Sequence, residues 1–295
     1  MHDDGPGGPH GGDKPARAAR PSPRDWDAAS YHELSHPQFT WGLRVLERVA
    51  LRGDERALDA GCGSGRLTAE LLRRLPAGRV VASDVSENMA RAAAVTLASE
   101  RPRCDVVCAD LLRLPFRGAF DLVFSTATFH WIRDHRRLFS SIAAALRGDG
   151  RLEAQCGGGP NLRRVHDRAL ALVCTPAFQP HFEHWEEPWV FPTPDAAAAR
   201  LRDAGFADVQ CWIVEAPTYF DDATSYRQFL ETVVMRPFLA RLPTARQRNR
   251  FLDLLTETAA REDNTFLLDY WRLNISAGKS LRRRRSPSGP STASP

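Results

Sequence analysis

Leu58-Asp59-Ala60-Gly61-Cys62-Gly63-Ser64-Gly65-Arg66-Leu67-Thr68 ends a short apolar run on an acid, alternates three glycines with small residues, and enters a leucine-rich helical pattern. Glycine allows a sharp turn and a close approach of backbone to ligand where a Cβ would clash. The helix that follows presents unpaired N–H groups and a positive dipole end. The stretch therefore predicts a strand, a loop and a helix that receive a nucleotide-like group carrying a carboxylate or phosphate.

Spacing narrows the choice. A dinucleotide fingerprint needs G-x-G-x-x-G, and here Arg66 stands where its third glycine belongs. NAD is therefore disfavoured. Arg79-Val80-Val81-Ala82-Ser83-Asp84 reads as a second strand after a Pro76/Gly78 break. It delivers Asp84 about 20 residues beyond the loop, where an acid can hold both ribose hydroxyls. Ser86 is placed to cap a helix running through Met89 to about Ser99.

With LDAGCGSGRLT, VVASDVSENM, CDVVCADLLRLPF and FDLVFSTATFHWI in this order, the chain resembles the class I S-adenosylmethionine-dependent methyltransferases. The similarity runs over roughly residues 25–279. It continues through Leu146 to Leu152 and Ala204-Gly205-Phe206, and reaches Tyr270 to Lys279. Within the family the chain is most similar to the trans-aconitate methyltransferase-like group. Trp26 and Tyr31, His130-Trp131 and Met235-Arg236-Pro237-Phe238-Leu239 carry that finer match.

The alternation of strand and helix signals argues for an α/β fold with a parallel sheet. The resemblance implies a Rossmann-like, seven-stranded, mostly parallel sheet with helices on both faces, an antiparallel edge pairing and a helical substrate-side cap. Apolar spacing marks helices at Phe39/Leu43/Leu46/Val49, at Leu67 to Leu75 and at Leu138 to Leu146. Arg151 to Gln155 reads as the fifth strand. Thr193 and Pro194 open a later helix that Gly205 stops. Val209 to Glu215 and Leu267 to Ala277 read as the last strands. Insertions at about 157–190 and 218–264, the second helical around Tyr226 to Val234 and Ala245 to Ala260, are expected to form the cap. Residues 1–24 and 280–295 read as disordered flanks of a methyltransferase domain at 25–279.

The formal charge is +4. Lys279 and Arg282 to Arg285 carry five positive charges and residues 1–24 a net one, so the rest is slightly acidic. A nucleic-acid partner is therefore disfavoured, and no N/D-P-P-Y string is present. The arginine run reads as a solvated terminus or a contact for RNA or a membrane surface. No run of 18 apolar residues and no signal-like start occur, so no membrane span and a cytoplasmic location are expected. The six cysteines show no C-x-x-C pairing, and no metal site is expected. Cys104 and Cys108 read as buried small residues, with a metal or redox pair as the alternative.

The resemblance also assigns roles. Gly61, Gly63 and Gly65 would cradle the methionyl end of S-adenosylmethionine, and Asp59 would bind its amino group. Asp84 would hold the ribose, with Val85 and Met89 flanking the adenine. Asp110 and Leu111 would meet the adenine amine, Asp110 being otherwise a turn or helix cap. Ser125 ends the fourth strand, where the family makes cofactor contacts. His130 is either a general base or a pocket wall. Tyr31 and Trp26 would contact the cationic end of the cofactor or pack a lid, and Tyr31 is also a candidate on the substrate side. Arg236 is the candidate for a substrate carboxylate, or else a helix-end ion pair. The expected reaction is methyl transfer to a small molecule, at a carboxylate or hydroxyl oxygen. A cofactor-binding scaffold for a partner enzyme and a nucleic-acid methyltransferase are the alternatives.

Overall fold

The computed structural model describes residues 36–263 and 265–279 of the 295-residue chain. Trp26, Tyr31 and both flanking segments lie outside the described residues. The order begins α1 (His36–Arg48), β1 (Arg56–Ala60), α2 (Arg66–Arg74), β2 (Arg79–Asp84), α3 (Glu87–Thr96), β3 (Cys104–Cys108) and β4 (Phe120–Thr126). It continues with α4 (His135–Ala145), β5 (Leu146–Gly157), α5 (Arg163–Val173), α6 (Pro194–Asp203), β6 (Phe206–Glu215) and β7 (Thr218–Tyr219). The last elements are α7 (Ala223–Phe229), α8 (Arg236–Leu239), α9 (Ala245–Ala260), β8 (Leu267–Leu268) and β9 (Trp271–Lys279).

Seven strands form one sheet in the order β3-β2-β1-β4-β5-β9-β6. β1 to β5 pair in parallel, and β9 runs antiparallel between β5 and β6. Strand residues alternate between the two faces. Leu58, Ala60, Val123, Leu152, Leu273 and Ile275 pack with α4 and α6. Ala57, Val80, Ala82, Leu122 and Phe124 pack with α1, α2 and α3 on the other face. The fold is thus the Rossmann-like sheet expected, with helices on both faces.

Local chemistry explains the boundaries. Met89 N–H donates to Ser86 Oγ at 3.3 Å, and Ala196 N–H to Thr193 Oγ at 3.3 Å. Such caps are worth about 1 kcal/mol each. α4 ends at Ala145, and β5 begins at Leu146, earlier than the expected Arg151. The last strand also differs: Leu267 and Leu268 pair separately with β7, and β9 starts only at Trp271. The break at Asp269-Tyr270 is spent elsewhere. Leu162 N–H donates to the Asp269 carbonyl, Arg164 N–H to Asp269 Oδ2 at 3.2 Å, and Ala216 N–H to the Tyr270 carbonyl. Of the two strand cysteines, Cys104 is buried and Cys108 exposed, because β3 is an edge strand whose end meets solvent.

The two insertions fold together over the sheet. Leu162, Val165, Phe178, Phe182 and Trp189 from the first share an apolar cluster with Tyr226, Phe238, Phe251 and Leu255 from the second. Trp41 of α1 and Tyr270 beside β9 join the same cluster. The cap therefore grips the body at the helix and strand that flank the cleft described next.

Candidate active site

The loop from β1 to α2 is shaped by its three glycines, all at positive φ. They are there for different reasons. A Cβ on Gly61 would stand 2.2 Å from Thr128 Oγ1, and one on Gly65 would press Leu97 and Ala93 of α3 at 3.1 and 3.2 Å. A Cβ on Gly63 would meet nothing within 4 Å. Gly61 and Gly65 thus serve packing, and Gly63 borders open space that a ligand can fill.

Asp84 ends β2 and organises that loop. Its Oδ2 accepts Gly63 N–H and its Oδ1 accepts Ser86 N–H, both at 2.9 Å. Each oxygen keeps a further lone pair for a hydroxyl. Burial raises its carboxyl above the ordinary value, against the pull of those N–H groups. Asp59 lies deeper, at 2% exposure, and its Oδ2 accepts the Thr68 hydroxyl at 2.6 Å. Burial pushes its carboxyl up to about 7; the Thr68 bond opposes this, and Asp84 adds to it.

Val85 stands 46% exposed beside Asp84, while Met89 and Leu111 are buried beneath. Asp110 Oδ1 accepts Leu112 N–H at 2.9 Å, so the capping role anticipated for it is filled, with the second oxygen left over. Ser125 is buried at the end of β4, where its hydroxyl donates to the Ala60 carbonyl at 2.6 Å. That bond ties β4 to β1 at the strand ends.

Just past β4, Ala127 adopts φ 54, a conformation that costs a residue with a Cβ about 1–2 kcal/mol. Its N–H donates to the Gln155 carbonyl at 2.8 Å, which holds the turn. Ala127 and His130 border an open cleft between the sheet and the cap. Trp131, Trp189, Phe191 and Tyr270 form walls, and Gln38, Asn161 and Arg272 add polar groups. The rings form an array: Trp131 to Trp189 at 5.5 Å, His130 stacked on Phe191 at 5.9 Å, and His166 stacked on Trp189 at 4.7 Å.

Gly157 N–H donates to His130 Nδ1 at 3.3 Å, which assigns the ring proton to Nε2 in the neutral ring. Burial, and then the charge of Arg272, hold the His130 imidazole well below its usual value. Near neutrality His130 is an uncharged hydrogen-bond donor with its acceptor nitrogen already engaged. Burial likewise pushes His166 down to about 4.

Arg236 opens the one-turn α8, two residues beyond the cleft residue Val234, and is not itself among the residues lining the cleft. The cation that lines it is Arg272, 4% exposed, with its guanidinium carbon 4.7 Å from the centre of the Trp41 ring. The sequence held a signal for it. Leu273, Ile275 and Ala277 mark the apolar face of β9, so Arg272 and Asn274 share the other face of a buried strand, and a buried cation calls for a reason. Trp189 and Phe191 gave no comparable signal, because their place depends on how the insertions fold. Among the described residues no three His, Cys, Asp or Glu side chains are grouped as ion ligands. None of the described helices is long and apolar enough to cross a membrane.

The residues suit S-adenosylmethionine. The open space at Gly63 would take the backbone-hugging part of such a ligand, and Asp84 offers spare lone pairs to the ribose. Comparisons with known proteins agree. A family model described as "Methyltransferase domain" matches residues 57–150. Trans-aconitate 2-methyltransferase of Methylobacterium nodulans is 28% identical over 274 residues, 87% of this chain and 99% of that protein. An uncharacterized methyltransferase of Schizosaccharomyces pombe is 28% identical over 268 residues, 86% and 98% of the two chains. The fold matches phosphoethanolamine N-methyltransferase 2 of Haemonchus contortus, solved with S-adenosylhomocysteine, at TM-score 0.56 and 17% identity, over 86% of this chain and 57% of that one. Sequence motifs, sheet order and relatives converge, and the chain is a class I S-adenosylmethionine-dependent methyltransferase, similar to the trans-aconitate methyltransferase group.

Proposed function

We propose that the enzyme methylates an oxygen of a small carboxylic acid. The observation that carries this reading is the state of His130. Its neutral ring presents an N–H, and its other nitrogen is held by Gly157. Such a residue donates to an acceptor but is poorly placed to take a proton from it. Among the described residues lining the cleft there is no aspartate or glutamate to serve instead. A carboxylate needs no base, being ionised near pH 7. S-adenosylmethionine supplies a methyl on a cationic sulfur; an oxygen lone pair forms the O–CH₃ bond as the S–CH₃ bond breaks, giving a neutral ester and a neutral thioether with no proton released.

In this reading Gly61, Gly63 and Gly65 border the methionyl end, Asp59 takes its amino group, and Asp84 takes the ribose hydroxyls. Val85, Met89, Asp110 and Leu111 surround the adenine, and Ser125 supports the strand ends at the reaction centre. His130 is a wall that donates to the acceptor. Alignment of the reactants and exclusion of water then account for most of the catalysis. The relatives named trans-aconitate 2-methyltransferase support a carboxylate acceptor as a class.

The test is calorimetry with S-adenosylmethionine, S-adenosylhomocysteine and NAD, followed by methyl transfer from labelled donor to carboxylic acids, phenols and amines between pH 6 and 9. Binding of the first two but not NAD, with turnover on acids that is flat with pH, is the expected result. Turnover that rises with pH, and only on phenols or amines, would overturn the carboxylate.

A further inference from the structure

We propose that Arg272 anchors the acceptor's carboxylate and that the ring-walled cleft selects an acid with one carboxylate on an apolar or aromatic body. This rests on the carboxylate reading above and adds to it the residue that recognises the acid and the kind of acid it takes.

The placement of Arg272 is unusual for an arginine. It is more than nine-tenths buried on the strand next to the sheet edge, paired opposite Gly157 of β5 on one side and Val214 of β6 on the other. Its planar group lies on the Trp41 ring, so the fork is held in one orientation. It is the only formally charged side chain among the described residues that line the cleft. Its field reaches the reaction side of the cleft, since it helps to keep His130 neutral. A guanidinium so held presents paired N–H donors that match a carboxylate. It also repels a cationic acceptor, and so disfavours an amine.

The rest of the cleft sets the body of the acid. Trp131, Trp189, Phe191 and Tyr270 are backed by Val233 and Val234, which lie on a single π-helical turn, Leu230–Val234, joining α7 to α8. Such turns recur at functional sites. Asn161 adds an amide, but its Oδ1 already accepts Trp271 N–H at 2.9 Å. A tricarboxylate would bring three negative charges to one described cation and leave two carboxylates to neutral partners such as Gln38 and Asn161 among aromatic rings, where burying a charge without a counter-charge is costly. A monoacid with a flat or branched apolar body satisfies both the cation and the walls.

The experiment uses the full chain saturated with S-adenosylhomocysteine, titrated with phenylacetate, cinnamate, octanoate, trans-aconitate and phenethylamine. At least one monoacid is expected to bind more tightly than trans-aconitate, with phenethylamine not binding. Arg272→Met should weaken that monoacid by roughly 10- to 100-fold and Arg272→Lys by about tenfold, the loss of a fork-shaped charged contact. Affinity for S-adenosylhomocysteine, unchanged in both variants, certifies their fold. In turnover with the same acid the loss should fall on KM more than on kcat. Tighter binding of trans-aconitate, no binding of any monoacid, or Arg272→Met binding the acid as wild type does would each overturn the inference. Methylation of acids would survive those results, whereas methylation of phenols or amines alone would remove the carboxylate reading itself.

Discussion

At Gly61 and Gly63 one residue type does two jobs, and substitution separates them. Gly61→Ala drives a Cβ into Thr128 and should lower the melting temperature clearly. Gly63→Ala meets only the strain of its φ 54, about 1 kcal/mol, and should leave stability nearly intact while weakening S-adenosylhomocysteine binding in calorimetry. Equal effects of the two on stability would refute the division. Asp59 makes a pH prediction. Its carboxyl titrates at about 7 in the fold, above the ordinary 3.8, so between those values the folded state holds a proton that the unfolded state has released. Its contribution therefore falls as pH rises, and ionised Asp59 destabilises the ligand-free protein. Asp59→Asn should stabilise that protein more at pH 8 than at pH 5, by on the order of 2–3 kcal/mol. Thermal melts at the two pH values decide it, and a pH-independent offset would contradict the assignment. Such states were not legible in the sequence. LDAGCGSG announces a loop and an acid, but the depth of Asp59 and the tautomer of His130 come from long-range packing.

Among the elements, α5 starts on a distant residue. Its N-terminal flank, Leu162, sits at φ 58 and supplies no side-chain cap; Asp269 Oδ2, over a hundred positions later, takes Arg164 N–H instead. Asp269→Ala should cost about 1 kcal/mol, or roughly 2–4 °C in melting temperature. Because Leu162 lines the cleft, the same change should raise KM for the acceptor and leave S-adenosylhomocysteine affinity alone. A KM equal to that of wild type would separate cap from cleft. Elements with local signals were readable: Ser86 and Thr193 cap where expected, and Gly205 follows the end of α6 at φ 91. The break between β8 and β9 was not, since Leu267 to Ala277 reads as one strand, and only the partners at α5 and just after β6 show what Asp269 and Tyr270 are doing.

Across the whole molecule, sheet and cap have separate cores that meet along the cleft. Phe238 is the hub of the cap, within 4.6 to 6.1 Å of the rings of Phe182, Trp185, Trp189 and Phe251. Phe238→Ala should cost roughly 3–5 kcal/mol. It should abolish acceptor turnover while S-adenosylhomocysteine affinity stays within about threefold, the two regions sharing few partners. Parallel loss of both would show one cooperative unit. The mostly parallel sheet was readable because the motifs that carry the resemblance mark its strands in sequence. The cap was not, since its rings have no periodicity tied to a partner. β9 also imposes an order of assembly. It is the last of the described strands in the chain, yet it fills the gap between β5 and β6, so until Trp271 and its successors are made β5 keeps an open edge, β6 has no partner and Arg272 is absent. The cleft at Arg272 is therefore completed only once β9 has been made, more than two hundred residues after the glycine loop that begins the sheet.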